Sequence, residues 1–117
     1  MIFTRGDTFD FKFQRRNKTT KEIITEKPDK MYFTVKENDK TNDVIFQKRL
    51  DNNTISYDEE TYYYSITIEP EDTNDIDYGT YYYDIEIITG KKVKTIAKGT
   101  LSIDSEITFA INEVQSG

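Results

Sequence analysis

Asp77-Tyr78-Gly79-Thr80-Tyr81-Tyr82-Tyr83 is the stretch that decides the fold of this chain. An acidic residue, a glycine two positions on and a tyrosine two further on mark a strand that opens on a tyrosine corner. In a two-sheet sandwich such a tyrosine turns its hydroxyl back onto the backbone just upstream and pins the crossover between the sheets. Asp77, Gly79 and Tyr81 are therefore the expected corner residues. Downstream, Tyr83, Asp84, Ile85, Glu86 and Ile87 alternate as a half-buried strand does.

The same two-residue period recurs outward from this point. Phe9, Phe11 and Phe13 alternate with Asp10, Lys12 and Gln14, and Met31, Phe33 and Val35 with Tyr32, Thr34 and Lys36. A short return strand is expected at Glu22 to Thr25. Val44, Phe46 and Leu50 continue the pattern, with Lys48 breaking it. After the turn at Asp51-Asn52-Asn53, a short strand is expected at Thr54 to Tyr57. Tyr62, Tyr64, Ile66 and Ile68 should share one face, with Tyr63, Ser65 and Thr67 on the other. Glu69 to Asp77 reads as a loop with room for one helical turn. Thr80 to Ile88 and Val93 to Ile103 form a hairpin about Thr89-Gly90-Lys91-Lys92. No window shows a sustained 3.6-residue apolar period. The expected fold is all-β: an immunoglobulin-like antiparallel β-sandwich of about seven or eight strands. One domain spans 1–117, and 104–117 forms a last strand or an assembly arm.

Composition narrows the chemistry. The 117 residues include no cysteine and no histidine. Thiolate metal sites, disulfides and the usual histidine-activated nucleophiles are thereby excluded. The expectation is a non-enzymatic module without cofactor or catalytic metal. The net charge of −6, from 22 acidic and 16 basic residues, disfavours a nucleic-acid partner. No apolar run approaches the ~20 residues of a membrane helix. The opening Met1-Ile2-Phe3-Thr4 lacks the basic and apolar regions of a secretory signal, so synthesis and folding in the cytoplasm are expected.

Several motifs have a plain reading beside a sharper one. Glu71, Asp72, Asn74, Asp75 and Asp77 supply oxygen ligands suited to calcium, but without the spacing of an EF-hand, and they read first as a solvated crossover with no tight calcium site. The twenty-two carboxylates nominate no catalytic pair. Arg5-Gly6-Asp7 spells an adhesion tripeptide and also reads as a turn before Phe9. Asn17-Lys18-Thr19 and Asn52-Asn53-Thr54 match glycosylation acceptors and also read as polar turns. Tyr32, Tyr63 and Tyr82 fall on the phase opposite the apolar stripes, with Ile45 and Ile88 on similar phases. Exposed tyrosines make contact surfaces for proteins or sugars. Ile107, Phe109 and Ile111 alternate once more and complete the expected interface residues.

Four segments carry a resemblance. Arg5-Gly6-Asp7-Thr8 with the alternating phenylalanines, Met31 to Lys36, Tyr78 to Glu86, and Lys98-Gly99-Thr100-Leu101-Ser102-Ile103 together resemble small immunoglobulin-like virion proteins of tailed phages of Gram-positive bacteria. They are similar to the N-terminal domain of phage baseplate upper proteins. The resemblance implies a structural module of the baseplate, tail or head decoration, with other virion proteins or further copies of itself as partners. Baseplate upper proteins continue past this domain into long extensions, whereas this sequence stops at Gly117. A carbohydrate-binding module using the exposed tyrosines is the alternative.

Overall fold

The computed structural model describes residues 2–38 and 43–104. Eight strands run in the order β1 (Ile2–Thr4), β2 (Phe9–Gln14), β3 (Lys30–Lys36), β4 (Val44–Arg49), β5 (Ile55–Tyr57), β6 (Tyr63–Ile68), β7 (Gly79–Thr89) and β8 (Lys92–Asp104). One short helix, α1 (Pro70–Thr73), lies between β6 and β7. Proline at its first turn suits a position whose N–H has no helical partner. The Asp72 carboxylate accepts from the Glu69 N–H at 2.7 Å and closes that turn.

The strands form two sheets, ordered β1-β8-β7-β3-β4 and β2-β6-β5. This is an all-β sandwich with immunoglobulin-type strand order. β2, β6 and β5 take the places of strands B, E and D, and β3, β7 and β8 those of C, F and G. The pairings are antiparallel except for β1, which runs parallel to β8 through Ile2↔Ser102 and Thr4↔Asp104. The antiparallel sandwich expected from the sequence is the one observed, with β1 as a short parallel addition at its edge.

Inward residues of both sheets make one core. Met31, Phe33 and Val35 from β3, Ile85 and Ile87 from β7, and Leu101 and Ile103 from β8 meet Tyr64, Ile66 and Ile68 from β6. Antibody domains fill this centre with a tryptophan on strand C against a disulfide between B and F. This chain has neither residue type. Aromatic rings take over: Phe33 of β3 meets Phe11 of β2 edge-on at 5.4 Å and Tyr83 of β7 at 5.6 Å. Such ring pairs add about 0.5–1.5 kcal/mol each beyond their buried area.

Other expectations are corrected locally. Glu22 to Thr25 forms no strand, only an isolated bridge between Arg16 and Ile23. Tyr62 stands outside β6 with φ 64°, in a turn closed by its N–H to Asp58 O at 2.8 Å. Ile45 is skipped by the register between Val35↔Phe46 and Lys36↔Val44, and packs against the core rather than facing out with the tyrosines. Lys48, which interrupts the apolar period of β4, is buried all the same. Its ammonium pairs with Asp72 of α1 and so ties the edge of the larger sheet to the crossover.

Candidate functional site

The corner residues act on architecture. Tyr81 Oη donates to Asp77 O at 2.7 Å from an almost buried ring. Burial, and after it the Asp77 carboxylate, pushes the Tyr81 phenol up, so it remains a protonated donor. Gly79 between them has φ 147°, a backbone that a side chain would strain. Arg5-Gly6-Asp7 is docked on the same crossover. Arg5 donates to Ile76 O at 3.3 Å and Tyr78 Oη at 3.0 Å, and its guanidinium lies 4.3 Å from the Tyr78 ring centroid. The Gly6 N–H donates to Thr73 Oγ1 at 3.0 Å. This tripeptide serves as a tie between β1 and the crossover.

The acidic crossover gathers no ligand set. Asp72 is engaged by Lys48 and by the Glu69 N–H. Among the described residues, no three of His, Cys, Asp or Glu are grouped to hold a metal ion. The two glycosylation-like asparagines fold their own turns: Asn17 Oδ1 accepts from the Thr19 and Thr20 N–H groups, and Asn52 Oδ1 from that of Thr54.

The tyrosine set is split. Tyr32 and Tyr82 lie on the outer face of the five-stranded sheet, opposite Glu86 and Lys36 respectively. Tyr63 belongs to the other sheet, opposite Gln14. They do not form one platform. Tyr32 is stacked by Arg49 at 5.0 Å and borders a shallow depression of about 200 Å³ with Thr34, Lys36 and Gln47. Tyr82 keeps 38% of its surface and Tyr63 39%. Ile107, Phe109 and Ile111 lie outside the described residues.

A larger opening lies elsewhere. A groove of about 730 Å³ runs along one flank of the sandwich, where β2 ends one sheet and β8 nears the edge of the other. Among the described residues β1 pairs with β8 only over Ser102–Asp104, so the groove sits beyond the stretch that β1 covers. Its floor is apolar, made by Phe11, Phe13, Tyr83, Ile85, Ile96 and Ala97. Among the described residues its rim carries Arg15, Arg16, Lys18 and Lys94 and no acidic residue, in a chain of net charge −6. The ion pairs among the described residues, Lys48–Asp72 and Arg49–Asp51, use none of these cations.

A bulge in β8 builds part of this rim. Ile85 pairs with Ala97 and Glu86 with Thr95, which leaves Ile96 as an extra residue. The bulge reverses the phase, so Lys94 falls opposite the inward Ile87 while Val93 turns out and keeps 60% of its surface. The cationic rim was not anticipated from the sequence. The signal for it was the cluster Arg15-Arg16-Asn17-Lys18, a local reversal of sign in an acidic chain. Compared with models of known protein families, the chain matches none. No curated protein matches it either.

Proposed function

We propose that this protein is a non-enzymatic structural module of a tailed-phage particle that works by docking to other virion proteins or to further copies of itself. The observation that carries the docking reading is the open flank between β2 and β8. β2, the edge of one sheet, and β8, beside the edge of the other, border an apolar groove there, and a sheet edge is the part that another chain can extend. Phage origin is supported by the four-segment resemblance, including Tyr78 to Glu86 and Lys98 to Ile103. A sugar-binding reading would rest on Tyr32 and Tyr82 alone, since Tyr63 faces the opposite side.

The test is to raise antibodies against the purified protein and label purified particles for electron microscopy, with mass spectrometry of the same particles. Labelling at a fixed position is the expected result. Particles that lack the protein, together with specific binding on a glycan array, would transfer the assignment to sugar recognition.

A further inference from the structure

We propose that the groove between β2 and β8 receives residues 107–111 of a second copy of this chain, added as a strand along the sandwich flank. This deepens the docking reading above by naming the partner, and it rests on that reading for the groove being a contact surface.

Charge selects the occupant. The groove presents Arg15, Arg16, Lys18 and Lys94 around an apolar floor. Beyond Lys98 the chain has no further lysine or arginine, and Ile107, Phe109 and Ile111 are bracketed by Asp104, Glu106 and Glu113. The segment alternates apolar residues at the spacing that sets every second side chain onto one face of a strand. Three apolar side chains facing the floor and carboxylates at both ends match the groove in pattern and in sign.

Reach places the donor on another molecule. β8 runs from Lys92 away from the groove to Asp104. Ile107 lies three residues past Asp104 in the sequence, a span of at most about 10 Å. β1 already holds the edge at Ser102–Asp104. The groove residues Lys94 to Ala97 begin seven residues back along the strand from Asp104, about 23 Å at about 3.3 Å per residue. The triplet of the same chain is therefore tethered short of the groove, whereas a neighbour's triplet is under no such tether.

The chain has no cysteine, so introduced thiols are the only ones present. Full-length Thr95→Cys and Thr108→Cys proteins would be mixed and oxidised. Thr95 is exposed at the groove. The expected product is a covalent heterodimer. Thr80→Cys, exposed away from the groove, should give far less when it replaces Thr95→Cys. A single chain carrying both Thr95→Cys and Thr108→Cys should link into multimers. Sedimentation provides the second reading. Lys18→Glu with Lys94→Glu should weaken self-association about tenfold, and adding Glu106→Lys with Glu113→Lys should restore it. Equal cross-linking at Thr80 and Thr95, an internal link that leaves the doubly substituted chain monomeric, or a protein that stays monomeric at every concentration would each overturn the proposal. Particle labelling is independent of all three, so the virion reading can stand if this inference falls.

Discussion

At the residue scale, two of the polar contacts that hold the crossover can be tested by single substitutions. Tyr81→Phe removes only the hydroxyl that donates to Asp77 O and leaves that carbonyl short of its partner. The expected loss is about 1–3 kcal/mol, read as a lower urea midpoint. Tyr82→Phe, on an exposed ring, should stay within about 0.5 kcal/mol of the parent. Equal losses at both positions would remove the corner from the account. Lys48 and Asp72 have side chains only 9% and 17% exposed. Lys48→Met would strand the Asp72 carboxylate and should cost roughly 3 kcal/mol. Adding Asp72→Asn should recover part of that loss, because the amide oxygen can still accept from Glu69 and no charge is left behind. A double variant weaker than Lys48→Met alone would contradict the pairing. Asp77-x-Gly79-x-Tyr81 was legible because the motif is local. Lys48 was not, because its partner lies 24 positions away on α1 and periodicity carries no information about ion pairs.

At the element scale, the strands whose apolar residues keep strict alternation were readable: β2, β3, β6 and the body of β7. What escaped is whatever depends on a neighbouring strand. β1 is only three residues long and, among the described residues, pairs with Ser102–Asp104 far along the chain. The skipped residues Ile45 and Ile96 come from register against β3 and β7, and each reverses the apparent phase of its strand. The cationic groove was hidden for the same reason, since Lys94 takes its place only through the Ile96 bulge. β8 also carries a close approach. A Cβ at Gly99 would lie 2.7 Å from Tyr83 Oη, and the Tyr83 ring is held against Phe33. Gly99→Ala must therefore push Tyr83 within the groove floor, at a cost of about 1–3 kcal/mol. Thermal unfolding should show the loss, and Tyr83→Ala in the same chain should relieve the clash term of it, so that the two substitutions are less than additive.

At the scale of the whole molecule, stability should decline in alkali. Burial pushes the Tyr64 phenol up, and burial with Asp77 does the same to Tyr81. The folded state thus holds these protons more tightly than the unfolded chain, whose tyrosines titrate near pH 10. Their contribution is full below about pH 10 and is lost as pH rises through the raised folded values. The urea midpoint should fall steadily above that point, and Tyr64→Phe with Tyr81→Phe should flatten the slope. An identical slope in the double variant would assign the alkaline loss to other groups. The parallel run of β1 beside β8 has a further, mechanical consequence. The chain leads into β1 at Ile2 and leaves β8 at Asp104, next to Thr4. Tension applied through these two ends pulls the strands in opposite directions along their axes. The bonds between Ile2–Thr4 and Ser102–Asp104 are then sheared together instead of peeled one by one, and the Arg5 and Gly6 ties to the crossover stand behind them. A sandwich strung between two neighbours would resist stretching most strongly along the direction in which its own chain runs.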